Sequence, residues 1–161
     1  HEGARIVRAV AMARDDVDDR SYADVDDLLD NIIRGSPVSV SVADPSLPGC
    51  PLIAISDNFE TISGYSRHEV LGRNCRFLNK SCDVMEETRQ AMNLVCEDAS
   101  GKATFGGKIQ NLRKDGTFFV NVLRLQSIFL GGRRFVVGIQ VDDSDASIAE
   151  EDLRDIERTG R

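Results

Sequence analysis

The heptapeptide Gly72-Arg73-Asn74-Cys75-Arg76-Phe77-Leu78 sets one thiol between an amide and a guanidinium. A cysteine so placed acts as a small hydrophobe or as a nucleophile, according to its surroundings. The adjacent Arg76 favours a thiolate on Cys75 or binds an anion nearby. A second set of residues carries recognition chemistry. Side chains alternate across a strand. Phe119, Asn121, Leu123 and Leu125 therefore share one face of a strand, Ile109 and Asn111 share a face of the strand before it, and Val136, Gly138 and Gln140 share a face of the strand after it. Three amides thus fall on faces otherwise apolar or small. Buried amides need partners, and Asn and Gln offer donor and acceptor together, which suits the edge of a heteroaromatic ring. Gly138 leaves space for a flat ligand. Read from the residues alone, the alternative is that the amides face water or pair with one another, and that the Cys75 stretch is a helix N-terminus with a buried cysteine.

The elements that must position these groups follow from periodicity. Helices are expected at 4–14 and 23–34, the second with Val25, Leu28, Leu29, Ile32 and Ile33 as its apolar stripe and Gly35 as its stop. Val38, Val40 and Val42 alternate with Ser39 and Ser41, which predicts a strand with one buried face. A turn-rich loop, Asp44 to Gly49, leads to a short strand, Leu52–Ile55. Asp57 caps a short helix that ends at Gly64. Ser66 with Glu69 forms a capping box for another, and the Cys75 stretch reads as helical. Asp83 with Glu86 caps a longer helix, with Met85, Thr88, Met92 and Val95 along one side. Three strands follow, about 102–113, 117–129 and 134–141, the first two joined by the hairpin signal Asp115-Gly116. Ser147 and Glu150 cap a last helix. Strands and helices are segregated, so the class is α+β with an antiparallel sheet. Helices inserted between the strands cover one sheet face and leave a pocket there. The outer helices must find another partner for their stripes, or a second copy of the chain.

Composition excludes several classes. The chain has 161 residues, 41% apolar and 29% charged, as a soluble globular protein does. No apolar run approaches the ~20 residues of a membrane span. Without a signal-peptide layout, the expected location is the cytoplasm. Residues 1–35 carry net −4, residues 36–141 net +2 and residues 142–161 net −5. Acidic flanks argue against nucleic-acid contact. The cysteines, Cys50, Cys75, Cys82 and Cys96, form no C-x-x-C pair, and histidine occurs only at positions 1 and 68, so no metal site is expected. The Asp-rich run 16–27 has Ser21 where a calcium loop needs glycine and ends in Asp27, not glutamate.

The heptapeptide resembles the signature of LOV (light, oxygen, voltage) domains, the flavin-binding blue-light branch of the PAS superfamily. Asp44-Pro45 with Leu47-Pro48, Gly64-Tyr65-Ser66, Asn111, Asn121 and Gly138-x-Gln140 fall at the family's positions. The resemblance spans about residues 36–142, leaving 1–35 and 143–161 as flanking helices. It implies a PAS-like five-stranded antiparallel sheet, with short helices on one face enclosing a pocket for flavin mononucleotide (FMN). By position, Cys75 is the photoreactive thiol, protonated in the dark, that bonds reversibly to flavin C4a. Arg76 and Arg89 hold the phosphate, Asn74 binds the ribityl chain or ring, and Asn111 and Asn121 bind the pyrimidine edge. Gln140 contacts O4 and N5 and relays the signal, with Leu78, Leu123 and Gly138 also around the ring. Asn79 stands where the family usually has glutamine, one methylene longer, Cys50 where it often has asparagine, and Leu123 where many members have phenylalanine. The resemblance implies a photosensory module rather than an enzyme, signalling through its flanking helices to an effector not visible in the chain, with a homodimer through those helices as one route. The competing expectations are a PAS redox-sensing or interaction module without adduct chemistry and, more remotely, a flavin oxidoreductase.

Overall fold

The computed structural model describes residues 22–144. Helix α1 (Tyr22–Ile33) precedes strands β1 (Ser39–Ala43) and β2 (Leu52–Ile55). Helices α2 (Asp57–Ser63) and α3 (Arg67–Val70), a 3-10 helix (Cys75–Leu78) and α4 (Glu86–Glu97) come next, then β3 (Thr104–Leu112), β4 (Phe118–Leu130) and β5 (Arg133–Asp142). The five strands form one sheet in the order β2-β1-β5-β4-β3, and every pairing is antiparallel. The chain thus folds as the α+β sheet expected, with β1 and β5, far apart in sequence, side by side at its centre. The expected helices 4–14 and 147–158 lie outside the described residues.

The strand β1 departs from the expectation of a single buried face: all five of its residues are buried. Val40 and Val42 enter one core with Val137, Ile139 and Val141. Ser39 and Ser41 turn to the opposite face, where both reach Gln140. Serine here is an interior partner for an amide, not a solvent-facing residue.

The partner of α1 is the sheet's own outer face. Val25, Leu29 and Ile33, at i, i+4 and i+8, pack against Val40, Val42, Phe135, Val137 and Ile139, with Leu28 and Ile32 at the margins. Leu29 and Ile33 are wholly buried. Arg133 ties the helix to the loop after β1, lying 2.9 Å from Asp44 Oδ2 and 3.6 Å from Asp26 Oδ1. Ile33→Val is therefore expected to cost about 0.5–1.5 kcal/mol, read as a lower midpoint at unchanged slope in urea unfolding. No measurable cost would mean that the helix is not docked in solution.

Two expected caps are corrected. Ser56, not Asp57, holds the N-cap position of α2. Its hydroxyl is engaged across the sheet, accepting from Val40 N at 2.8 Å and donating to Val38 O at 3.1 Å. Asp83 does not cap α4, which starts at Glu86 behind Met85. Arg89 reaches back to the carbonyls of Val84 (3.3 Å) and Cys82 (3.4 Å), in the irregular segment that precedes the helix. Met85 is left exposed instead of lying on the buried stripe with Val95.

Candidate functional site

The inner sheet face, α4 and the 3-10 helix enclose a cavity of about 210 Å³, many times the ~30 Å³ of a water molecule. The structure brings together around it Asn74, Cys75, Arg76, Leu78, Asn79, Arg89, Asn111, Asn121, Leu123, Gly138 and Gln140. These come from five separate elements and the turns between them.

The thiol is placed by local rules. Gly72, at φ +86°, permits the turn after α3. The backbone of 72–73 then pairs with Leu52 on β2, Gly72 N to Leu52 O at 2.8 Å and Leu52 N to Arg73 O at 2.9 Å. Asn74 N-caps the 3-10 helix, its Oδ1 accepting from Arg76 N at 2.9 Å and from Arg76 Nε at 2.9 Å. Its Nδ2 donates to Gly49 O at 2.6 Å. Phe77 is clamped between Tyr65, edge-on at 5.0 Å, and the Arg73 guanidinium at 4.5 Å. Cys75 is thereby held at the cavity wall.

The first expectation for this thiol, a thiolate favoured by Arg76, is overturned. Burial pushes the Cys75 thiol up to about 11, the nearby Cys96 adds to the rise, and Arg76 opposes it only weakly. Sequence adjacency does not give proximity, because the guanidinium of Arg76 is turned to Asn74. Cys75 is a protonated thiol at neutral pH.

The opposite wall is built by strand register. Gln140 lies between Ser39 and Leu123, and Gly138 between Ser41 and Leu125. The Gln140 amide accepts from Ser39 Oγ at 2.8 Å and donates to Ser41 Oγ at 2.8 Å. A Cβ on Gly138 would come within 2.6 Å of Ser41 Oγ and 2.7 Å of Gln140 Nε2. The glycine is thus required by the glutamine's own bonds as well as by space in the cavity. Asn121 Nδ2 donates to Asn111 Oδ1 at 2.9 Å, and Asn111 Nδ2 donates to Gln110 O at 2.9 Å. The amides do pair with each other, as the residue-level alternative had it, yet pairing does not satisfy them. Asn121 Oδ1 and Asn79 Oδ1 are buried with no hydrogen-bond partner among the described residues, a costly state that a ligand donor would relieve.

Arg76 and Arg89 also line the cavity, with Glu86 on its wall. Several lining residues were not assigned to the site by the sequence patterns above: Ser41, Ala43, Leu52, Asn93 and Cys96, with Met92 read only as part of the helix stripe. Met92, Asn93 and Cys96 could have been found from Arg89, since helical spacing puts 89, 92, 93 and 96 on one face. Among the described residues no cluster of three or more His, Cys, Asp or Glu could hold a metal ion, and no helix is long and apolar enough to cross a membrane.

The PAS domain family model matches residues 37–145. A blue-light photoreceptor of Listeria monocytogenes is 34% identical over 117 residues, which cover 72% of this chain and 45% of that relative. The chain thus spans less than half the length of this relative. The solved LOV domain of a blue-light activated histidine kinase from Erythrobacter litoralis is 34% identical, with a TM-score of 0.60 over 66% of this chain and 96% of that one. A light-oxygen-voltage domain solved in work with a flavin analogue matches at 28% identity, with a TM-score of 0.60 over 86% of this chain and 96% of that one.

Proposed function

Because the chain belongs to the PAS domain family and, within it, to the LOV domains, we propose that it is a blue-light photosensory module that holds FMN in the cavity between sheet and helices. One observation carries this reading. A half-buried thiol, its pKa pushed up to about 11, lines the same cavity as Asn111, Asn121, Gly138 and Gln140. The residues present fit the group. The unpartnered Asn121 and Asn79 oxygens need donors, and an isoalloxazine imide and ribityl hydroxyls supply them. The lining arginines, Arg76 and Arg89, suit a phosphate. Asn79, although one methylene shorter than the family's usual glutamine, offers a free acceptor to the cavity.

Flavin, when bound, would supply blue absorption and an electrophilic ring carbon within reach of the chemistry of the Cys75 thiol. Each protein group has its task in that setting. Cys75 holds its proton in the dark, because burial disfavours the thiolate, and releases it only on reaction. Asn111 and Asn121 fix the ring edge, and Leu78, Leu123 and Gly138 shape the walls. Gln140, held by Ser39 and Ser41, would offer its amide to the ring edge and respond to a change of protonation there. The output we assign to the flanking segments, 1–35 and 143–161, by a change in docking or by pairing of two copies. The apolar stripe of α1 is taken up by the sheet, so pairing through that stripe requires the helix to leave it. An effector belongs to a partner or to further chain. Absorption spectra before and after blue light test the reading. A structured blue band that bleaches and recovers in the dark is expected. A flavin band unchanged by light would favour a redox or interaction module.

The choice of FMN makes its own prediction. Arg76→Ala is expected to weaken FMN binding by about tenfold or more, the equivalent of a charge-assisted contact, and to leave riboflavin binding nearly unchanged. Fluorescence titration of both ligands measures this. Equal losses would remove Arg76 as the phosphate contact.

A further inference from the structure

A second pair of thiols lines the same cavity and, beyond the effect of Cys96 on Cys75, has no task in the chemistry above. Cys50 Sγ and Cys96 Sγ are 3.2 Å apart, about 1 Å longer than a disulfide bond, although the residues are 46 apart in sequence. Cys50 is in the loop between β1 and β2, and Cys96 is near the end of α4. Both ends are held. The loop is closed by bonds from Asp44 N to Pro51 O and from Cys50 N to Leu47 O, and Asn74 Nδ2 grips Gly49 O. The helix end is held by Arg134, which donates to Val95 O at 3.0 Å and to Cys96 O at 2.8 Å. Among the described residues Cys50 alone has a positive φ without being glycine, at 49°. Such strain persists only where the surroundings impose it and gathers at functional positions. A second, more open space of about 720 Å³ adjoins the first, and Cys50 and Cys96 line both. The pair is therefore in the dividing wall, reached from outside past the exposed Ser46, Leu47 and Gly49.

We propose that Cys50 and Cys96 are a redox-active dithiol that peroxide closes to a disulfide in the wall between the two cavities. The two thiols are not equivalent. Cys50 donates its S–H to Cys96, and Arg134 adds positive charge, which pulls the Cys96 thiol below its usual range. The same bond, with burial, pushes Cys50 up. The thiolate is the nucleophile, so Cys96 attacks. Its sulfur takes one peroxide oxygen as the O–O bond breaks, and the departing hydroxide gains a proton to leave as water. Cys50 sulfur then attacks the Cys96 sulfenic acid. The S–S bond forms, the S–O bond breaks, and the hydroxyl leaves with the Cys50 proton as a second water. Two thiols and one peroxide give one disulfide and two waters. The bond ties the β1–β2 loop to α4, next to the turn that carries Cys75. This inference rests on the thiol geometry and not on a bound flavin.

The test uses the purified chain, reduced and kept in the dark, then exposed to dilute hydrogen peroxide, alkylated and mapped by mass spectrometry. Titratable thiols should fall from four to two, with Cys50 and Cys96 in one cross-linked peptide within a monomer and dithiothreitol restoring both. Cys50→Ser should leave a Cys96 sulfenic acid that dimedone captures, and Cys96→Ser should slow oxidation of Cys50 at least tenfold. Earlier oxidation of Cys75 or Cys82, disulfides only between molecules, retention of four thiols, or no dimedone capture in folded Cys50→Ser would each overturn the proposal. If a serine variant does not fold, the map of the unmodified chain decides alone.

Discussion

Cys75→Ala is expected to bind flavin with nearly unchanged affinity and to lose the reversible light-induced bleach completely. The change removes one sulfur and keeps the Cβ, so the 3-10 helix and its Asn74 cap remain. The contacts proposed to hold the ligand lie elsewhere, on β3, β4 and β5 and at Arg76. What is lost is the sulfur proposed to form the carbon–sulfur bond. Two other cavity-lining thiols, Cys50 and Cys96, make the control necessary, since Cys96 is close enough to influence Cys75 electrostatically. Cys96→Ser should therefore still bleach with the parental spectral shape and recover in the dark. Absorption spectra of the three proteins decide the matter. A bleach of parental shape in Cys75→Ala, or its loss in Cys96→Ser alone, would transfer the photochemistry to another thiol.

Gln140→Leu is expected to bleach normally yet lose most of the light-induced change in the helices that flank the sheet. In the proposed reading, a ring nitrogen that changed from acceptor to donor would require the Gln140 amide to turn and offer oxygen. A donor left facing a donor costs roughly 1–3 kcal/mol, which is also the usual range of coupling between sites. The structure shows why the turn is tolerated. Ser39 and Ser41 hold the two ends of the amide, and a hydroxyl both donates and accepts. The amide can therefore exchange its ends with neither serine left unpaired. Ser39 and Ser41 belong to β1, whose other face, Val40 and Val42, packs with Leu29 and Ile33 of α1. Movement at Gln140 is thus two strand residues from a helix on the far side of the sheet. Hydrogen exchange of α1 and of the segment after Asp142, in dark and lit samples, reads this. Full lit-state change in the leucine variant would mean that the signal leaves by another route. Unchanged exchange in the parent itself would remove these segments as the output.

Much of this fold and site is legible in the order of residues alone. The hairpin at Asp115-Gly116, the alternation along β4 and the Cys75 heptapeptide are local signals, and local signals survive folding. What escapes is what depends on partners distant in the chain. Ser39 and Ser41 read as solvent-facing because their partner, Gln140, is about a hundred residues away. The stripe on α1 is visible, but nothing near it announces that the sheet's outer face will receive it. The charge state of Cys75 misleads for the converse reason: Arg76 is adjacent in sequence yet turned to Asn74, and burial prevails. Cys50 and Cys96 carry no motif at all, and only the packing of a loop against α4 brings them to 3.2 Å.

That Cys75 is a protonated thiol in the dark, consumed by light and restored afterwards, is tested most directly by infrared difference spectroscopy of the S–H stretch on the FMN-loaded chain. Blue light should remove one S–H band, absent from the difference spectrum of Cys75→Ala, and the band should return in step with recovery of the blue absorption. An unchanged S–H region accompanying a full bleach, or a lost band that persists in Cys75→Ala, would contradict the role given to Cys75.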